Sequence, residues 1–239
     1  VTNKYYSPGD QRGARVKDLF DTIAPRYDLI NDLQSFGLHR WWKRRLIRMA
    51  DGQPGERALD LCCGTGDVAL ALSSRGLDVV GLDFSEPMLD VANRRLNATP
   101  PSARARFLRG DAQRIPFSDG SFDVVTISYG LRNLADWETG LREMARVARP
   151  GGRLLVLDFG RPDNALWRAI YFAYLKRFVP LLGRIFCGDA DTHGYILESL
   201  QHYVAQKGVA AGMERLGLTQ VRIINLMGGI MSLNYGVKK

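Results

Sequence analysis

Cysteine is scarce in this chain of 239 residues: there are three, two of them adjacent at Cys62 and Cys63, with no Cys-x-x-Cys pair. A disulfide framework and a zinc knuckle are therefore excluded, and a reducing compartment is expected. Histidine is equally sparse, at three residues, and no metal site is expected. No apolar run is long enough to cross a bilayer, and the polar opening Val1-Thr2-Asn3-Lys4 does not resemble a signal peptide. Internal repeats and low-complexity segments are missing too. These absences point to a cytoplasmic protein. What the chain has in excess is positive charge. Lys and Arg total 33 against 25 acids, a net charge of +8, which asks for an anionic partner: nucleic acid, an acidic membrane surface or an anionic substrate. Charge alone does not choose among them. With 46% hydrophobic and 24% charged residues, the chain has an ordinary globular composition and the length for one α/β domain over 1–239.

The stretch Ala58-Leu59-Asp60-Leu61-Cys62-Cys63-Gly64-Thr65-Gly66-Asp67 organises the rest. An apolar run from Arg57 to Cys62 breaks into Gly64-Thr65-Gly66, and Val68, Ala69, Leu70 and Leu72 then take helical spacing. That pattern reads as a buried parallel strand turning sharply into a helix. Glycines let a backbone approach a bound molecule closely, and the first helical turn presents unpaired N–H groups. A plain glycine turn between core elements is the alternative.

Further strands follow at Asp78–Asp83, Ala105–Leu108, Phe122–Ile127 and Arg153–Asp158. Between them, Ser85 caps a helix through Glu86-Pro87-Met88-Leu89, and a helix from Asp136 to Arg149 stops at Pro150-Gly151-Gly152. Thr219–Leu226 and Ile230–Val237, joined by Met227-Gly228-Gly229, form an antiparallel hairpin. The alternation predicts an α/β fold: a doubly wound, mostly parallel seven-stranded sheet of Rossmann-like kind, closed by the hairpin. Ligands of such sheets bind outside the carboxyl ends of the strands. Here each end carries polar residues: Gly64 and Thr65, Asp83, Asp111, Ser128 and Asp158.

The flanks read as covers over that edge, with 1–50 an N-terminal helical cover, 56–160 the core, 161–203 a second cover or insert and 204–239 the closing helix and hairpin. Residues 1–11 form a polar tail. Val16, Leu19 and Phe20 make an amphipathic stripe, whereas Arg26 to Leu33 shows no clean helical face. His39 to Met49 is a basic helix, with Trp42, Leu46 and Met49 toward the core and Arg40, Lys43, Arg44 and Arg48 in solvent. A basic amphipathic helix with Trp suits an anionic membrane surface, though a solvated basic face is the plainer outcome. Asn164 to Cys187 is aromatic and basic and is interrupted by Pro180; it is either a packed helix or an apolar lid over a greasy substrate.

Gly64-x-Gly66-x-x-Ala69 matches the dinucleotide fingerprint, and Asp83 lies roughly 20 residues beyond, where an acid grips ribose. A nicotinamide-dependent oxidoreductase is one reading. A Tyr203-x-x-x-Lys207 spacing fits it poorly, because it falls after the fifth strand. S-adenosyl-L-methionine accounts for more of the chain. Asp60-x-x-x-Gly64-x-Gly66, Asp83 and Gly110-Asp111-Ala112 resemble the successive motifs of class I methyltransferases. The more specific resemblance is carried by Phe20-Asp21-x-Ile23-Ala24-x-x-Tyr27-Asp28-Leu29-Ile30-Asn31-Asp32, by Ser35-Phe36-Gly37-Leu38-His39-Arg40-x-Trp42-Lys43 and by Gly130-Leu131-Arg132-Asn133. These are similar to signatures of the demethylmenaquinone/ubiquinone C-methyltransferases, the UbiE/MenG family, and the likeness runs from about Asn3 to the final Gly228-Gly229-Ile230.

The resemblance implies a cofactor site of Asp60, Gly64, Thr65, Gly66, Asp83, Asp111, Ala112 and Ser128, with the glycine loop at the methionine part, Asp83 at the ribose, and Asp111 and Ala112 at the adenine. It implies methylation of a ring carbon of a polyprenylated quinol, demethylmenaquinol above all and the benzoquinol of the ubiquinone pathway as the other candidate, with peripheral contact to an anionic membrane, no nucleic acid and a homodimer among the assemblies. A developing phenolate needs a donor or cation; Arg132 and Asn133 are the residues chosen, with Tyr27 sharing their network. The chain departs from the family at Leu197-Glu198-Ser199, Tyr203-Val204 and Asn234-Tyr235. A methyltransferase acting on nucleic acid is a rival on charge, but Ser128-Tyr129-Gly130 lacks the Asn/Asp-Pro-Pro-aromatic stretch used on exocyclic amines. A non-catalytic quinone-binding protein is the rival from another class.

Overall fold

A computed structural model describes residues 12–99, 104–187 and 191–239; the polar tail expected over residues 1–11 lies outside them. Helix α1 (Arg12–Ile23) carries Val16, Leu19 and Ile23 on one face, and with Ile30, Met88 and Tyr195 these make a small apolar cluster of their own. Tyr27–Ser35, where no clean stripe is legible, is helix α2. It ends through Phe36 and Gly37, both left-handed (φ 51° and 74°), so α3 (Leu38–Ala50) starts at once in a new direction.

Next come β1 (Arg57–Leu61), α4 (Asp67–Ser73), β2 (Asp78–Asp83), α5 (Glu86–Asn97), β3 (Ala105–Arg109), β4 (Phe122–Ser128), α6 (Trp137–Val147) and β5 (Ala148–Phe159). The Ser85 hydroxyl accepts the Met88 N–H at the start of α5, the cap expected from sequence. Helix α6 stops two residues early because Ala148 pairs with Phe122; β5 absorbs Arg149–Gly152 across an irregular register, with Gly151 turning at φ +77°. The chain closes with α7 (Ala165–Cys187), α8 (Asp191–His202), α9 (Ala205–Arg215), β6 (Thr219–Leu226) and β7 (Met231–Val237). Pro180 sits inside α7 instead of ending it.

The strands form one seven-stranded sheet in the order β3-β2-β1-β4-β5-β7-β6. Strands β1 to β5 run parallel to one another, and β7 pairs antiparallel with both β5 and β6. Both faces are covered. Ala58, Val79, Val124 and Leu155 face Leu46 of α3 and Leu72 of α4, while Leu59, Val80, Val125 and Leu154 face Met144, Val209 and Met213 on the other side. Two buried faces explain why the strands read as unbroken apolar runs. The chain direction across the sheet reverses between β1 and β4, which opens a crevice at their carboxyl ends.

Candidate active site

At that crevice β1 leaves through Cys62 (φ 50°) into Gly64 and Gly66 (φ 53° and 85°), and Gly66 caps α4. A Cβ on Gly66 would lie 2.8 Å from the Phe107 ring, so only glycine fits there. Asp83 fastens the loop. Its Oδ2 accepts the Gly64 N–H at 2.8 Å and its Oδ1 accepts the Ser85 N–H at 2.9 Å. Burial nonetheless pushes the Asp83 carboxyl above the usual range, against those backbone donors.

Over the loop lies a cavity of about 180 Å³ lined by Gly64, Asp83, Asp111, Ala112 and Ser128, with Tyr27 and Asn133 on its wall. The Ser128 hydroxyl is buried without a partner among the described residues. The other residues expected in the cofactor site, Asp60, Thr65 and Gly66, do not line this cavity. Asp60 lies beneath the loop, 1% exposed, and accepts the Thr126 hydroxyl at 2.7 Å; burial drives its carboxyl up to about 7. Thr65 donates to Asp28 at 3.0 Å and accepts from Arg95 at 3.1 Å.

A second cavity of about 340 Å³ adjoins the first. Its wall is largely apolar, with Ile23, Ile30, Trp42, Leu175 and Val179, and it also carries the Arg132 guanidinium and the His39 imidazole. Phe20, Tyr27 and Tyr129 line both cavities, which therefore meet at these rings. Arg132 is 5% exposed. Its Nη1 donates to the Tyr129 carbonyl at 2.7 Å and lies 3.5 Å from Asp158 Oδ1, and its backbone N–H donates to Asp158 Oδ2 at 3.1 Å. The guanidinium stands 4.7 Å over the Phe159 ring. Its Nε–H is left without an acceptor among the described residues. Asn133 donates to the same Tyr129 carbonyl at 3.0 Å and accepts the Tyr195 hydroxyl at 3.0 Å. Burial raises the Tyr27 phenol, which bonds to the Asn31 side chain.

Tyr129 has no role assigned from sequence, yet it is central here. It sits at φ 59°, a strained place for an aromatic residue that costs on the order of 1–3 kcal/mol. Its hydroxyl is buried without a partner among the described residues. Its neighbour Gly130 has no room for a Cβ, which would stand 2.5 Å from that of Cys62. A glycine directly after a strand-end tyrosine was the available signal.

Lys43 corrects another expectation. Instead of facing solvent it is 8% exposed, with Nζ 2.7 Å from Asp67 Oδ2 and 5.9 Å above the Tyr129 ring. Arg95 of α5 pairs with the other Asp67 oxygen, reaches Asp28 of α2 at 3.2 Å and donates to the Thr65 carbonyl at 3.0 Å. Ser85 donates to Asp21 of α1 at 2.6 Å. These long-range pairs latch the N-terminal helices, and Tyr27 with them, onto the glycine loop.

The model of the ubiE/COQ5 methyltransferase family matches residues 9–238. The chain belongs to the ubiE/COQ5 methyltransferase family. It is 41% identical over 234 residues to the ubiquinone/menaquinone biosynthesis C-methyltransferase UbiE of Azotobacter vinelandii, covering 97% of this chain and 92% of that one. To the demethylmenaquinone methyltransferase of Desulfitobacterium hafniense it is 38% identical, over 96% and 92% of the two chains. Solved structures share the fold at lower identity. A methyltransferase of Aquifex aeolicus aligns at TM-score 0.60 and 17% identity, over 82% and 89% of the chains. The phosphoethanolamine N-methyltransferase 2 of Haemonchus contortus, bound to S-adenosyl-L-methionine, aligns at 0.61 and 16%, over 82% and 52%. The family resemblance drawn from the signatures and the seven-stranded fold are thereby borne out, and a nicotinamide-dependent oxidoreductase is set aside. No helix among the described residues is long and apolar enough to cross a membrane.

Proposed function

We propose that this protein transfers the methyl group of S-adenosyl-L-methionine to a ring carbon of a polyprenylated quinol, with demethylmenaquinol as the first substrate. The observation that carries the proposal is the junction of two unlike cavities at Tyr27 and Tyr129, with the guanidinium-bearing Arg132 on the wall of the apolar one. The smaller cavity fits the cofactor: a carboxylate at Asp83, a second at Asp111 and an orphaned Ser128 hydroxyl sit where a ribose, an exocyclic amine and further polar atoms need partners. When bound there, the cofactor supplies an electrophilic methyl group. The chain's own residues then align and polarise the ring. Arg132 turns its guanidinium to a quinol oxygen and steadies the negative charge that grows on it. Asp158 and the Tyr129 carbonyl hold the guanidinium in place. Asn133 and Tyr195 fix the strand-end turn that carries Arg132. The apolar wall excludes water around the ring.

The mouth of the larger cavity suits an isoprenoid tail that enters from a membrane at the cytoplasmic face. Phe36, Trp167, Ile170 and Met227 line it and are exposed, Phe36 stacks on Phe178 of α7, and Leu166 and Leu181 extend the apolar strip along that helix. Exposed Lys176 and Arg177 on α7, with Arg44, Arg45 and Arg48 on α3, supply charge for an anionic bilayer.

Incubation with methyl-labelled S-adenosylmethionine and reduced demethylmenaquinone is the test. Label should appear in the extracted quinone, with S-adenosylhomocysteine released, and none in RNA offered separately. Label in RNA, or binding of quinone without release of S-adenosylhomocysteine, would sink the proposal.

A further inference from the structure

A quinol that becomes a carbon nucleophile gives up a hydroxyl proton, so the larger cavity needs a proton acceptor on its wall. Arg132 offers only N–H donors and no acceptor, and cannot serve. The phenols of Tyr27, Tyr129, Tyr171 and Tyr174 are pushed up by burial and keep their protons, and the Tyr195 hydroxyl donates its own to Asn133. His39 remains. It stands on the first turn of α3, 4% exposed, and lines the cavity.

The hydrogen bonds of Ser35 settle which ring nitrogen of His39 carries the proton. Ser35 Oγ lies 2.6 Å from the Asn31 carbonyl oxygen, 2.9 Å from His39 Nδ1 and 3.2 Å from the His39 backbone nitrogen. A hydroxyl has one hydrogen and a carbonyl has none, so that hydrogen goes to Asn31. The contact with Nδ1 must then be an Nδ1–H donated to Ser35. Asp32 Oδ1, 3.6 Å from the same nitrogen, favours a proton there as well. A neutral imidazole carries a single N–H, so Nε2 holds a lone pair, and no hydrogen bond reaches it among the described residues.

We propose that His39 Nε2 accepts the quinol hydroxyl proton; the inference rests on the methyl-transfer function above. As the proton passes to Nε2, the O–H electron pair stays on oxygen and pushes into the ring. The ring carbon forms its bond to the methyl group while the methyl–sulfur bond breaks and sulfur keeps that pair. The ring C–H proton then leaves to water, and the imidazolium returns its proton to the oxygen. One proton is released per methyl transferred.

The surroundings suit both states of the ring. Burial first, and then Lys43, hold the imidazole below its ordinary value, with Arg40 adding to them and Asp32 and Asp67 opposing. At neutral pH the ring is therefore unprotonated, as a base must be. Asp32 of α2, itself held by Arg40 at 2.8 Å, faces Nδ1–H and steadies the transient imidazolium.

His39→Asn is the decisive variant, because an asparagine amide can replace the Nδ1–H bond to Ser35 and has nothing in place of Nε2. Its kcat should fall about 100-fold or more, and the fall of wild-type kcat/KM toward acid pH, set by His39 below its ordinary value, should be absent from the residual activity. A variant with the wild-type rate and profile would reduce His39 to a packing role and overturn the proposal. Wild-type protein inert toward reduced demethylmenaquinone would instead sink the underlying function, so the two failures are distinguishable. An independent readout needs neither cofactor nor variant. Nitrogen-15 NMR of the wild-type protein at pH 7 should show His39 protonated on Nδ1, with its Nε2 resonance moving when a short-chain reduced demethylmenaquinone is added. The opposite tautomer, or an unmoved Nε2, would also overturn the proposal.

Discussion

Asp67→Asn probes the latch that holds the N-terminal helices over the crevice. Burial works to raise the Asp67 carboxyl, but Lys43 at 2.7 Å and Arg95 overcome it and hold it at about 2. Against the 3.8 of a free aspartate, at about 1.4 kcal/mol per pH unit, that is worth about 2 kcal/mol to the folded state. The folded value is the lower one. The stabilisation is therefore complete well above pH 3.8 and is lost as pH falls through about 2. Asparagine keeps the shape but not the charge, and leaves Lys43, with a side chain 10% exposed, facing a neutral group. Urea unfolding at pH 7, 5 and 3 should show the variant about 2 kcal/mol less stable at pH 7 and the gap shrunk to roughly half by pH 3. A gap that stays constant over that range, or that is negligible at pH 7, would refute the assignment of Asp67 as the anionic centre of the latch.

Other perturbations separate the remaining parts. Arg132→Ala should leave S-adenosylmethionine affinity within a few-fold by calorimetry while methyl transfer drops by about 100-fold or more, the scale of losing one well-placed donor; unchanged turnover would remove Arg132 from the reaction. Asp60→Asn should stabilise the fold as pH rises. The Asp60 carboxyl, lifted to about 7 from 3.8, costs the folded state progressively across that window, so the variant should match wild type near pH 3.5 and gain up to about 4 kcal/mol by pH 8. Thermal melts that show no such divergence would contradict the buried, protonated carboxyl. Leu166→Ser with Leu181→Ser should weaken sedimentation with phosphatidylglycerol vesicles, and salt should release the wild-type protein. Wild-type protein that ignores such vesicles at low salt would dismiss the membrane-docking strip.

Much of the frame was legible because it is written in local patterns. Runs such as Val79 to Leu82 mark strands buried on both faces, and Gly64 and Gly66 mark a left-handed turn in which Gly66 has no room for a side chain. Asp83, Asp111 and Ser128 could be placed at strand ends from those patterns alone, and the structure brings them to one cavity. Local patterns failed where a partner lies far along the chain. Lys43 reads as a solvent-facing member of a basic run until Asp67, 24 residues on, takes its charge inside. Helix α2 hides its face because Tyr27, Asp28 and Asn31 are turned toward the loop and the cavities, so polar groups stand where a stripe of aliphatic residues would otherwise announce a helix.

The order of residues by itself determined the layered sheet, the glycine loop and the row of acids along one edge, since each follows from spacing and backbone freedom within a few positions. Only the tertiary structure decided that two cavities meet at Tyr27 and Tyr129, that Asp60 sinks beneath the loop instead of lining it, and that His39 turns its Nδ1 to Ser35. Those outcomes depend on burial and on pairs of groups brought together through space, and neither is a property of any short stretch of chain.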